Sequence, residues 1–132
     1  MSRDPGGATS FRSVRSCTVT IRAKVPSLGS AFEHETLEKI SVPVEIVAGA
    51  TDPVVPIASN ARYFADHIPN AQLTLYPGGV GHNTFLGICN DHGKETMPQV
   101  CDDMPGVDRT AIHHDAARKA TDFFNEHLNL QR

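Results

Sequence analysis

The chain has 132 residues, of which 39% are hydrophobic and 20% charged, and its formal net charge is −3 at pH 7. This length is enough for one domain with a single core. The slightly acidic charge argues against nucleic acid or an anionic membrane as a partner, and no apolar run approaches the roughly 20 residues that a membrane span requires.

The N-terminal segment and the cysteines bear on processing and location. Residues 1–16 are rich in Gly, Ser and Arg without an apolar period, which predicts a disordered or frayed N-terminus ahead of a domain at 17–132. No apolar run follows the N-terminal charge, so no signal peptide is predicted and we expect a cytoplasmic protein. The odd set of Cys17, Cys89 and Cys101 favours reduced thiols, although Cys89 and Cys101 could pair if the protein is exported.

The first predicted strand covers residues 17–25, where apolar and polar residues alternate. This pattern is typical of an outer strand with one wet face. Ile21 and Ala23 belong to the predicted buried face, and Arg22 and Lys24 belong to the predicted solvent face.

A helix–strand–helix–strand succession is predicted next. A short helix is plausible at 32–39, and residues 42–48 are rich in Val and Ile, as in a strand buried on both faces of a parallel sheet. Apolar residues then recur at helical spacing over 57–68, ahead of a strand at 71–76. Two strands joined by a helix of this length form a right-handed crossover, so we expect parallel neighbours.

The last part of the chain is predicted to be a long loop and a helix. Residues 78–107 contain six glycines and two prolines and show no convincing period, and a loop of this length is usually functional or mobile. Asp108 is a good N-cap for a closing amphipathic helix at 108–128. The predicted fold class is therefore α/β, with two or three parallel strands flanked by helices.

Asp52 and His82 are the candidate catalytic residues. Each lies just beyond one of the two core strands, where α/β sheets place their sites. An aspartate can accept the Nδ1–H of a histidine, and histidine suits general-base work near neutral pH. Taken separately, Asp52 could be an Asx-turn residue and His82 a surface-loop histidine. Together, in this chain order, they predict two members of a catalytic triad.

Several motifs carry a resemblance to a known family. They are residues 40–44, the pattern Gly49-x-x-Asp52-x-x-x-Pro56, the pattern Gly81-His82-x-Thr84-Phe85-Leu86, the loop with Cys89 and Cys101, residues 105–109 and the closing helix. From about residue 26 to 128 the chain resembles the C-terminal part of an α/β-hydrolase of the dienelactone-hydrolase-like group. The resemblance implies a truncated three-layer fold, hydrolysis of a carboxylic ester or lactone, Asp52 as the triad acid and His82 as the triad base.

The nucleophile of such a site is missing from the sequence. A hydrolase of this kind holds a Ser or Cys on a strained G-x-S-x-G or G-x-C-x-G turn, beside backbone N–H groups that form an oxyanion hole. No serine here has both glycines, and Cys89 follows the histidine with Asp91 in place of the second glycine. The irregular spacing of the histidines and cysteines does not predict a metal site, and no cofactor is expected. The sequence therefore predicts a hydrolase-family protein that is inactive alone.

A non-enzymatic role is the alternative. A sheet that lacks its first strands would expose an edge at 42–48 or 73–76, through which the chain could form a homo-oligomer or bind another chain. Residues 17–25 could instead fold back and cover an edge. A third possibility is a fragment whose N-terminal half was lost to a frameshift or a wrong start.

Overall fold

The computed structural model describes residues 20–24 and 26–128 and contains a three-stranded parallel sheet. The predicted N-terminal segment 1–16 lies outside the described residues, as do positions 17–19 and 25 of the first predicted strand. The strands are β1 Ile21–Lys24, β2 Val44–Gly49 and β3 Ala71–Tyr76, in the order β1-β2-β3. The parallel α/β class predicted from the sequence is confirmed.

Helices connect the strands and complete the fold. They are α1 His34–Leu37, α2 Ala61–His67, α3 Asp91–Thr96, α4 Pro98–Cys101 and α5 Arg109–Leu128, with 3-10 turns at Gly29–Ala31 and Asn83–Phe85. The predicted loop at 78–107 thus holds two helices, of six and four residues. Elements this short cannot display an apolar period, which is why the sequence did not predict them.

The central strand β2 separates two apolar clusters. Its side chains alternate between the two faces of the sheet, as in any strand. On one face Val44, Ile46 and Ala48 pack with Leu37, Ala61 and Ile68 from α1, α2 and the end of α2. On the other face Val47 packs with Tyr76, Val80, Phe85 and Ala116, the last from α5. All six β2 residues are buried, as predicted for a strand covered on both sides.

The burial of Ile21 and Arg22 in β1 is the reverse of the prediction, whereas Lys24 is exposed as predicted. Ile21 is 45% exposed, whereas the Arg22 side chain is only 14% exposed and pairs with Glu45, its neighbour in register on β2. Arg22 Nη2 also donates to the Ala116 carbonyl at 2.9 Å. A buried carboxylate is costly unless it is paired, so Glu45 draws the Arg22 face of β1 toward α5. Alternation alone could not reveal which face of the strand turns inward.

The positions of the strands also correct the predicted sheet edge. Strand β2 pairs with β1 on one side and with β3 on the other, so the 42–48 segment is not an edge. Residues 21–24 cover it, and within the described ranges β1 and β3 are the outer strands. No helix in those ranges is both long enough and apolar enough to cross a membrane.

Candidate active site

The loops that follow β2 and β3 are held together by contacts that precede Asp52 in the first loop and His82 in the second. Thr51 Oγ1 donates to the Gly78 carbonyl at 2.6 Å, and the Thr51 N–H donates to the Val80 carbonyl at 3.3 Å. At Gly49 an added Cβ would lie 2.1 Å from the Val80 oxygen, so only glycine permits this approach. The two loops therefore enter the site at a fixed separation.

Asp52 is a buried carboxylate whose two oxygens have different partners. The residue is 6% exposed, and Oδ1 accepts hydrogen bonds from the N–H groups of Val54 at 2.9 Å and Val55 at 2.8 Å. These bonds form the turn that the sequence offered as an alternative role for this residue. Oδ2 lies 3.1 Å from Nδ1 of His82. Asp52 therefore shapes its loop with one oxygen and faces the histidine with the other.

The hydrogen bond to Asp52 determines which nitrogen of His82 carries the proton. An ionised carboxylate can only accept, so Nδ1 must donate and Nε2 is left as the acceptor. The imidazole is 29% exposed, and no hydrogen bond to Nε2 occurs within residues 20–24 and 26–128. The two predicted residues thus meet at the carboxyl ends of adjacent parallel strands, with an imidazole nitrogen free to take a proton.

An open cavity of about 560 Å³ lies beside His82. This volume is in the range of small-molecule sites. Three segments contribute to its lining: the loop after β2 that carries Asp52 (the acid loop), the loop after β3 that carries His82 (the histidine loop) and the end of the 78–107 segment. The lining includes Pro53, Val54, Gly81, Thr84, Asp103 and Met104. Among the described residues the lining contains no serine or cysteine.

A buried polar chain that the sequence did not reveal supports the histidine loop. The Gly81 N–H donates to Thr84 Oγ1 at 3.2 Å, and Thr84 Oγ1 donates to Asp103 Oδ1 at 2.8 Å. Arg109, only 7% exposed, donates from Nε to Asp103 Oδ2 at 2.7 Å. Burial would raise the pKa of Asp103, but the hydrogen bonds from Arg109 and Thr84 outweigh it and lower that pKa.

Nothing in the spacing of Asp103 and Arg109 points to this pairing. In the sequence, Arg109 is distinguished only as part of the resembling segment 105–109. The paired carboxylate of Asp103 and guanidinium of Arg109 lie beside the site. They hold the end of the 78–107 segment against the turn that carries His82. The pair is therefore a structural support for His82 that only tertiary placement shows.

Cys89 and Cys101 form a disulfide, with an S–S distance of 2.05 Å and a Cα–Cα distance of 5.7 Å. The prediction of reduced thiols is therefore wrong for this pair, because α3 and α4 fold the segment back on itself and the spacing alone carries no such information. The bond removes both thiols as metal ligands and Cys89 as a nucleophile. Disulfides are typical of oxidising compartments, which argues against the predicted cytoplasmic location.

Comparison with known proteins relates part of this chain to a non-heme chloroperoxidase. No family model matches the chain. The non-heme chloroperoxidase CPO-A1 of Kitasatospora aureofaciens is 41% identical over 54 residues, which are 41% of this chain and 20% of that protein. The matched part thus spans about a fifth of the curated relative. The match and the three-stranded parallel sheet fit a fragment of an α/β-hydrolase, and they do not assign the dienelactone-hydrolase group.

Proposed function

We propose that this chain provides the acid and the histidine of an α/β-hydrolase site that acts on a carboxylic ester or lactone. Asp52 orients the imidazole of His82, and the nucleophile lies outside these 132 residues, so the chain by itself does not turn over substrate. The single observation that carries the proposal is the 3.1 Å contact between Asp52 Oδ2 and His82 Nδ1 at the ends of adjacent parallel strands. The dienelactone-hydrolase-like grouping rests on the sequence resemblance.

In the proposed reaction each of these groups has one role. His82 Nε2 would accept the proton of a Ser or Cys as its oxygen or sulfur attacks the ester carbonyl, and Asp52 would stabilise the imidazolium. The proton would then pass to the leaving alcohol, leaving an acyl-enzyme. His82 would next deprotonate the water that cleaves this intermediate, which releases the acid and restores the nucleophile.

The tautomer of His82 tests the proposal without requiring turnover. In the wild-type chain, ¹⁵N chemical shifts should show a proton on Nδ1 and none on Nε2. The Asp52→Asn variant should reverse this, because the amide NH₂ can donate to Nδ1 and the proton then resides on Nε2. The measurement is a long-range ¹H–¹⁵N correlation spectrum of the histidine rings above pH 7.5, in both proteins.

Two other histidines are internal controls for that experiment. His67 Nδ1 lies 2.8 Å from the Tyr63 carbonyl and His113 Nε2 lies 2.7 Å from the Thr84 carbonyl. A carbonyl only accepts, so these rings should be protonated on Nδ1 and Nε2 respectively, in both proteins. A wild-type His82 protonated on Nε2, with the two controls as expected, would contradict the proposed role.

The second candidate function is a non-enzymatic interaction module. Ile21 is 45% exposed on the outer strand β1, and apolar groups on an outer strand favour pairing with another chain. Multi-angle light scattering of the purified chain should then show a dimer or a larger assembly. A monodisperse monomer at micromolar concentration would remove the support for this alternative.

A further inference from the structure

The cavity beside His82 combines apolar walls with negative charge. We propose that it binds uncharged or cationic apolar ligands and excludes carboxylates, so that the substrate of the proposed hydrolase site is a neutral ester rather than the ester of a dicarboxylic half-acid. The substrate assignment rests on the proposed function, whereas the binding preference does not.

Large apolar side chains form two sides of the cavity. Val54 from the acid loop is 63% exposed and Met104 from the long segment is 64% exposed. The Met104 Cβ packs against Gly79 of the histidine loop, where an added Cβ would lie 2.4 Å away. Met104 is therefore held at the cavity wall although its surface is uncovered. An apolar ligand group that covers these two side chains gains from the removal of apolar area from water.

The charged residues of the cavity are all acidic. Asp102 and Asp103 belong to the lining, and Asp52 Oδ2 lies 3.1 Å from Nδ1 of the lining residue His82. The charge of Asp103 is compensated by Arg109. Within the described ranges, Asp102 forms no ion pair and the lining contains no lysine or arginine. Asp52 and Asp102 therefore leave an uncompensated negative field in the cavity.

The guanidinium closest to this field cannot reverse it. Arg109 is 7% exposed, and its three nitrogens already donate to Asp103, to the Gly87 carbonyl and to the Val100 carbonyl. A carboxylate ligand would thus meet two like charges and, among the described residues that line the cavity, no lysine or arginine. Repulsion of this kind at a partly solvated site should weaken binding about tenfold relative to a neutral ligand of the same shape.

The methyl group of Met104 reports binding directly. We suggest ¹³C-methyl methionine labelling and titration with three probes of similar size, namely phenylacetamide, phenylacetate and phenethylammonium, at pH 8 and low salt. Phenylacetamide and phenethylammonium should shift the Met104 signal saturably, and phenylacetate should bind about tenfold more weakly. Met97 is 48% exposed but does not line the cavity, so its signal should not move.

Replacement of the exposed residue Asp102 tests whether negative charge is the cause of the weaker carboxylate binding. Asp102→Asn should bring the affinity for phenylacetate closer to that for phenylacetamide, and high salt should narrow the same difference in affinity in the wild type. Equal or tighter binding of phenylacetate to the wild type would overturn the proposal, as would the absence of a Met104 shift with every probe. If His82 is protonated on Nε2 while the Met104 signal still shows the expected ligand selectivity, the proposed function is wrong and the binding preference stands.

Discussion

Replacement of Arg109 by alanine should lower the free energy of unfolding by about 3–5 kcal/mol, because it leaves the Asp103 carboxylate, whose side chain is only 13% exposed, without its partner. Urea denaturation followed by circular dichroism measures this loss. The matched control is Arg118→Ala on the same helix. Its side chain is 63% exposed and pairs with Asp115 at the surface, so the loss should stay below about 1 kcal/mol.

The loss of unfolding free energy caused by Arg109→Ala should also depend on pH. In the folded chain the pKa of Asp103 is lowered, so its ion pair contributes stability above the unfolded pKa and loses that contribution as the pH falls through the lower, folded value. The difference in stability between wild type and variant should therefore narrow below about pH 4. Arg109→Lys keeps the charge without the fork and should fall between the two. Wild-type stability in both variants would contradict the assigned role.

Removal of the disulfide should produce the second large effect. The cysteines are 12 residues apart, and the entropy of closing a loop of that length corresponds to about 3 kcal/mol. A Cys89→Ser, Cys101→Ser double variant should lose about that much stability in urea, and the oxidised wild type should lose a similar amount when dithiothreitol is added. A serine variant as stable as the wild type would show that the bond does not constrain the fold.

The disulfide and Arg109 join the same two parts of the chain, so their effects should not simply add. Arg109 binds the Gly87 carbonyl at 3.3 Å and the Val100 carbonyl at 3.0 Å, next to the two cysteines. Either link can hold the two parts together when the other is lost. The combined variant should therefore unfold more easily than the sum of the separate losses predicts, which a double-mutant cycle measures. Strict additivity would show that the two links act independently.

The fold was predictable from the sequence where a pattern is local and long enough. The apolar run of β2 and the helical period over 108–128 each determine their own element, and the structure has a strand and a helix at these places. The pair of Asp52 and His82 was also accessible, because parallel neighbours bring the ends of two successive strands together. Their proximity follows from chain order and strand direction alone.

The features that the sequence did not reveal depend on contacts that no local pattern announces. Strand β1 turns its Arg22 face inward only because Glu45 is buried 23 residues later. The bond between Cys89 and Cys101 requires α3 and α4 to reverse the chain between them, and Asp103 meets Arg109 across the turn that joins α4 to α5. Neither apolar periodicity nor the spacing between individual residues carries information on such tertiary contacts.

The close approach at Gly49 has a consequence for how this site could be moved between proteins. The contacts that join the two loops, from Gly49 and Thr51 to Val80 and from Asp52 to His82, all lie within one contiguous stretch, residues 44–82. None of them involves the strand that would carry a nucleophile. A strand–helix–strand insert of these residues into another parallel sheet would bring the contact between Asp52 and His82 with it, and the host would have to supply the support that Thr84, Asp103 and Arg109 give to the histidine turn.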